Sequence, residues 1–287
     1  MAGEKLTNPL LDCEINQAVG EKEYKPSKVK IEEIIAKQKS SIKQIADVAV
    51  YYRDLNNGPW FGINENDNFA PASLLKLPIM MAYFKDAQSN LNILEKKIAY
   101  VNDSNVASQL FIPQKHLEDN KSYTVEQLID QMVVYSDNNA LKLLVQNIDQ
   151  TKIGNLQKDL GIEPSNYQNE NYLSVKSYST LLRVLFNASY LNREMSEKAL
   201  GLMTESKFNR GLTAKLPKDI VVAHKFGERD LPGNIDQLHD CGIIYYPNHP
   251  YLLCIMTRGS NMEHLSQTIE QISAQIYSDL DARFHQK

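Results

Sequence analysis

Strand-like segments lie at both ends of this chain of 287 residues, and a long helical stretch separates them. Near the start, Val48 to Leu55 and Trp60 to Asn64 are rich in β-branched and aromatic residues. They are joined by Asn56-Asn57-Gly58-Pro59, in which Asn-Gly is a strong hairpin signal. Three strand patterns come late: Ile220 to Phe226, His239 to Tyr246 and Tyr251 to Arg258, with Pro247-Asn248-His249-Pro250 as the turn between the last two. Helical segments dominate from Ser73 to Met203, and a final amphipathic helix, Glu263 to Leu280, sets Leu265, Ile269, Ile272 and Ile276 on one face. Two strands, a helical block, three strands and a helix fit one α/β layer built from both chain ends, with the helical block inserted. The expected fold is therefore α/β: a five-stranded, mainly antiparallel sheet flanked by N- and C-terminal helices, plus an inserted all-helical subdomain. The corresponding boundaries are an N-terminal arm or linker at 1–29, an α/β subdomain from 30–70 and 216–287, and a helical subdomain at 71–215.

The sequence is 43% hydrophobic, enough for a sizeable core, and its net charge of −4 without a basic run argues against a nucleic-acid partner. No apolar run approaches the ~18 residues of a membrane-spanning helix. The six histidines show no ligand spacing, so neither a metal nor another cofactor is expected. Three cysteines, Cys13, Cys241 and Cys254, are too few for a disulfide framework, and the latter two sit on strand patterns as expected core thiols.

Three short strings carry the chemistry: Ser73-Leu74-Leu75-Lys76, Ser136-Asp137-Asn138 and Lys225-Phe226-Gly227. A serine hydroxyl is a poor nucleophile and needs a base within reach. If Ser73 opens a helix, positions i and i+3 share a face and the Lys76 amine lies beside it. A helix N-terminus also brings free N–H groups to where a carbonyl oxygen becomes negative. Lys76 works as a base only when deprotonated, which burial among Leu74, Leu75, Leu77, Ile79 and Met80 and a second cation at Lys225 both favour. Taken alone, the first string describes a serine-capped core helix, and the second describes an N-cap at a corner between two helices. In combination they describe a serine acyl-transfer site.

The set resembles the signature of class A β-lactamases and penicillin-binding proteins, with Phe226 where that signature has Thr. The resemblance covers about Ile45 to Ser278. It implies Ser73 as nucleophile, Lys76 and Ser136 as proton-transfer groups, and Asn138 and Lys225 as substrate-binding groups. Asp137 would fix the corner through backbone N–H groups. The backbone N–H of Glu228, following Gly227, would complete the oxyanion hole. Without the Thr hydroxyl, Lys225 is left for the substrate carboxylate, with Thr213, Arg229 and Arg258 as candidate assistants. The long loop that carries a deacylating glutamate in class A enzymes is shortened here. Glu163 and Glu170 are its available carboxylates: Glu163-Pro164 copies the family's local dipeptide but follows Gly161 too soon, and the flanks of Glu170, Asn169 and Asn171, lend it no better support.

The function implied is a serine hydrolase forming an acyl-enzyme on Ser73 with β-lactams or D-Ala-D-Ala-type peptides. One alternative is a penicillin-binding protein with D-alanyl-D-alanine carboxypeptidase or transpeptidase activity. Another, of a different class, is a non-catalytic β-lactam sensor or peptidoglycan-binding module. The expected partners are a β-lactam or a peptidoglycan stem peptide, and the expected state is a monomer. Such substrates place the protein in the bacterial periplasm or elsewhere outside the cytoplasm, which implies a leader or anchor ahead of the segment read here.

Overall fold

Alternate residues of the sheet face two different cores, which is why its strands read as nearly continuous apolar runs. The computed structural model describes residues 6–8, 17–56, 58–102, 109–162, 165–167 and 170–284. In chain order the N-terminal half contains α1 (Gln17–Ser41), β1 (Ile45–Asp54), β2 (Trp60–Ile63), β3 (Asn68–Phe69), α2 (Lys76–Ala87), α3 (Asn92–Glu95), β4 (Lys97–Ala99), β5 (Ser122–Thr124) and α4 (Val125–Val134). It continues with α5 (Asn138–Asn147), α6 (Gln150–Asp159), β6 (Ser165–Tyr167), β7 (Glu170–Ser174), α7 (Val175–Phe186), α8 (Arg193–Thr204), β8 (Val222–Leu231), β9 (Ile235–Ile244), β10 (Tyr251–Gly259) and α9 (Met262–Phe284).

The main sheet has five strands in the order β2-β1-β10-β9-β8, each neighbouring pair antiparallel. The chain ends meet where β1 pairs with β10, from Ile45 opposite Gly259 to Asp54 opposite Tyr251. Ala49, Tyr51, Ile243, Leu252 and Met256 pack with the inserted helices on one face. Val48, Val50, Tyr52, Leu253 and Ile255 pack on the other with Ile31 and Ile35 of α1 and with Leu265, Ile269, Ile272 and Ile276 of α9. The expected α/β architecture is thus present.

The insertion is mainly helical and adds short ladders, β4 with β5 and β7 with both β3 and β6. Two of the strands extend further than expected. β8 continues past Phe226 to Leu231, and β9 starts at Ile235, with Gly233 (φ 90°) and Asn234 (φ 60°) turning between them. Polar residues Glu228 to Asp230 and Asp236 to Gln237 interrupt the apolar pattern of this hairpin. The first helix runs unbroken across the expected boundary at residue 29, and Tyr24 ahead of it is buried and donates its hydroxyl to Asp54 Oδ2 at 2.8 Å. Thr7 is also buried, its N–H donating to Glu197 Oε1 on α8 at 2.9 Å.

The two strand cysteines require a correction. Cys241 and Cys254 face each other across β9 and β10, with Cα atoms 3.9 Å apart, and form a disulfide rather than two core thiols. Their pairing depends on the register imposed by the turn at 247–250, which residue counting does not reveal. Cys13 lies outside the described residues.

Candidate active site

Ser73 lies in a single 3-10 turn, Ala72 to Leu75, that runs directly into α2. Ala72 has φ 50°, a left-handed conformation that costs a non-glycine residue energy and recurs at functional turns. The surrounding structure holds this turn in place. Just upstream, Ala70 N donates to Gln237 Oε1 at 3.1 Å, and His239 Nε2 donates to Ala70 O at 2.9 Å. Thr257 N donates to the other ring nitrogen of His239 at 3.3 Å, so both bonds require the neutral ring. Burial pulls His239 down to about 4, which keeps it neutral. From β8, Gly227 approaches so closely that an added Cβ would lie 2.8 Å from Pro71 O and 3.1 Å from Leu74 N. No larger residue fits there without moving the edge strand away from Ser73.

Lys76 is fully buried at the start of α2. Its Nζ donates to Ser136 O at 2.5 Å, Ser136 Oγ at 3.0 Å and Asn138 Oδ1 at 2.8 Å. Three acceptors suit an ammonium, yet burial pulls its pKa from 10.5 to about 7 against the opposing pull of Asp137 and Glu228. Lys225, on the face of β8 toward the helices, donates to Ser136 Oγ at 3.0 Å and Phe226 O at 2.9 Å. Burial first, and the neighbouring Lys76 charge second, hold Lys225 well below the usual lysine range. Two amines therefore converge on one hydroxyl, an arrangement in which both cannot stay charged at low cost.

Local sequence builds the corner that presents this hydroxyl. The helix before it, α4, starts with a capping box between Thr124 and Gln127 and ends at Tyr135. Ser136 then takes φ 58° and is fully buried, and Asp137 caps α5 by accepting from Asn139 N at 2.6 Å and Ala140 N at 3.1 Å. The structural role expected for Asp137 is the one observed.

The structure brings together Ser136, Asn138, Lys76 and Lys225 through direct hydrogen bonds, and Ser73 and Gly227 through the packing of the turn on β8. Glu228 also lies in β8, and its side chain has a role of its own. Its carboxylate accepts from Leu110 N and Phe111 N, both at 2.9 Å, and burial raises its pKa. Gln109, just before, donates to Ser136 O at 2.8 Å, so the 109–111 segment straps the Ser136 corner to β8. Sequence reasoning missed this strap, as it missed Gln237 and His239.

Other expected residues stand elsewhere. Arg258 donates to Asp47 Oδ2 at 2.9 Å and Asn68 O at 2.8 Å, so it ties β10 to β1 and β3. Thr213 closes a short 3-10 turn, Gly211 to Thr213. The Phe226 ring stacks on Phe208 with centroids 4.1 Å apart. Glu163 lies outside the described residues. The backbone of Glu170 pairs with Tyr167 at the start of β7, within the hairpin that forms the short α6–α7 connection.

Comparison with known proteins agrees with this architecture. The profile of the Beta-lactamase enzyme family matches residues 26–280. Beta-lactamase VEB-1 of Pseudomonas aeruginosa is 24% identical over 276 residues, covering 88% of this chain and 87% of that protein. A solved structure of a beta-lactamase from Chitinophaga pinensis superposes with a TM-score of 0.76 at 20% identity, covering 89% of this chain and 99% of that one. A mutant of PBP-A, in an acyl-enzyme complex with penicillin G, superposes with a TM-score of 0.74 at 21% identity, covering 88% and 97%.

Proposed function

This chain belongs to the beta-lactamase enzyme family and is a serine hydrolase of that type, and on this premise we propose that it forms an acyl-enzyme on Ser73 with β-lactams or D-alanyl-D-alanine-type peptides. The observation that carries the reading is the buried Lys76 amine, with a pKa of about 7, hydrogen-bonded at 3.0 Å to a Ser136 hydroxyl that also accepts from Lys225.

Neutral Lys76 takes the Ser73 Oγ proton as that oxygen bonds to the substrate carbonyl carbon. The carbonyl oxygen gains the electron pair and faces the N-terminus of α2 and the backbone N–H groups of Ser73 and Glu228. Collapse breaks the bond to the leaving nitrogen. Ser136 Oγ gives that nitrogen a proton and recovers one from Lys76. An incoming substrate carboxylate favours the charged form of Lys225 and draws its otherwise depressed pKa upward. Asn138, whose Oδ1 already accepts from Lys76, holds the acyl part.

A second reading concerns the fate of the acyl-enzyme. The α6–α7 connection is a short hairpin, with Glu170 paired at its far end from Ser174. This favours slow deacylation and hence a penicillin-binding protein with D-alanyl-D-alanine carboxypeptidase or transpeptidase activity. Peptidoglycan stem peptides are then the natural substrate. An extracytoplasmic location fits both readings, and the Cys241–Cys254 disulfide supports it because such bonds persist in oxidising compartments. Among the described residues, no helix is long and apolar enough to cross a membrane.

Labelling with a fluorescent penicillin tests the assignment. The native protein is expected to carry the label and Ser73→Ala to lose it, with folding stability within about 1 kcal/mol because Ser73 is partly exposed. A labelled Ser73→Ala protein overturns the choice of nucleophile.

A further inference from the structure

Glu228 meets the acyl site twice. Its backbone N–H follows Gly227 on β8 and serves the oxyanion in the acyl-enzyme reading, while its side chain reaches the segment at 109–111. The carboxylate accepts from Leu110 N at 2.9 Å and from Phe111 N at 2.9 Å and 3.1 Å. Bonds of this kind, from N–H groups to a charged acceptor, are stronger than those between neutral partners. Burial disfavours the charge, and the opposing pulls are these two bonds first and then the amines of Lys225 and Lys76. The Phe111 ring adds a second anchor, meeting Phe226 of β8 edge-on at 5.9 Å and Phe208 at 5.1 Å.

The near end of this segment grips the Ser136 corner. Gln109 Nε2 donates to Ser136 O at 2.8 Å, and Gln109 Oε1 accepts from Asn138 N at 3.4 Å. One amide thus spans the corner. Asn138 opens α5, where an N–H has no partner within the helix, and Asp137 takes the N–H groups of the next two residues. Ser136 needs outside support, because its left-handed φ of 58° costs energy in a residue other than glycine. Its carbonyl also accepts from Lys76 at 2.5 Å, so the peptide group and the hydroxyl that serves the leaving atom are oriented together.

We propose that the Glu228 side chain is a positioning residue for proton transfer to the leaving group: through Leu110 and Phe111 it fixes Gln109, and through Gln109 it holds Ser136 in register with its own backbone N–H. The inference rests on the acyl-enzyme reading. Two groups that serve opposite ends of the breaking bond are then spaced by one residue. The N–H meets the carbonyl oxygen, and Ser136 meets the departing atom. Preorganisation of this kind matters because a small misplacement of a reacting group is costly in rate.

The test uses two acyl donors with the same N-acyl-D-alanyl part, a glycolate ester and a thioglycolate thioester. In each, the Ser73 Oγ–acyl bond forms. The ester then loses its C–O bond and the alkoxide takes a proton from Ser136, whereas the thioester loses its C–S bond and leaves as a thiolate, the Ser73 proton staying on Lys76. Glu228→Ala keeps the backbone N–H. Confirmed as folded by its melting temperature, it is expected to lower kcat/KM for the ester about 10-fold more than for the thioester, a part of the ~100-fold or more that a proton-transfer group contributes. Glu228→Gln, which keeps an oxygen for the two N–H groups but not the charge, is expected to recover most of that difference. Gln109→Ala is expected to reproduce the Glu228→Ala pattern, and it carries the comparison alone if Glu228→Ala does not fold. The double variant is expected to show no further loss, because residues acting in one chain of contacts are not additive. Equal effects on ester and thioester, equal losses in Glu228→Gln and Glu228→Ala, or additive losses in the double variant overturn the positioning role while leaving the acyl-enzyme intact. Failure of both donors and of penicillin to modify Ser73 in the native protein overturns the acyl-enzyme reading and the positioning role with it.

Discussion

Lys76 must be neutral to take a proton, and burial that lowers its pKa to about 7 leaves about half of its population neutral near pH 7. The sign follows from which form reacts. Below pH 7 the amine holds its proton and acylation falls about tenfold per unit, whereas above it the rate reaches a plateau. Lys76→Ala is expected to slow acylation by at least ~100-fold and to remove this inflection, as measured by stopped-flow binding of a chromogenic β-lactam. The residues behind that expectation were legible because each sits in a short string whose members act together. Gln109, Gln237 and His239 were not, since their partners lie 27, 167 and 169 residues away and only folding brings them close. Phe226 was visible as a departure, but the rings of Phe111 and Phe208 around it were not.

Elements position the site through β8 and β9. The close approach of β8 to the turn bearing Ser73 depends on Gly227 having no side chain, since a Cβ there would lie 2.8 Å from Pro71 O. Gly227→Ala is expected to cost about 1–3 kcal/mol by overpacking, read from urea denaturation, and to depress acylation by shifting the strand edge. From β9, neutral His239 holds Ala70 O ahead of the same turn. Its folded pKa is depressed from 6.5 to about 4, so its contribution to stability is present above 6.5 and lost as the pH falls from there to about 4. That loss amounts to about 3 kcal/mol. Melting temperatures measured across this interval should fall, and His239→Gln should flatten the decline. An unchanged slope would mean that other groups govern acid sensitivity. The strands were readable where both faces are covered, as at Tyr251 to Arg258. The β8–β9 tip was not, because Glu228, Arg229, Asp230 and Asp236 interrupt its apolar pattern.

Pairing the two chain ends in one sheet sets the helical insertion against one face and leaves the other to α1 and α9. The site forms at the junction, where α2 and the Ser136 corner come from the insertion and Lys225 and Gly227 from the sheet. Hydrophobic periodicity and turn chemistry made this arrangement legible, whereas the Cys241–Cys254 bond required the register of β9 against β10. Chemistry at a junction of this kind depends on both halves at once, so covalent capture of substrate reports on the whole assembly. Intact-mass spectrometry of the protein mixed with a penicillin, with peptide mapping and drug loss followed in parallel from minutes to hours, is the most direct test. The account predicts one added penicillin mass on the peptide containing Ser73. An unmodified protein with no drug consumed, or an adduct on any other residue, would contradict it.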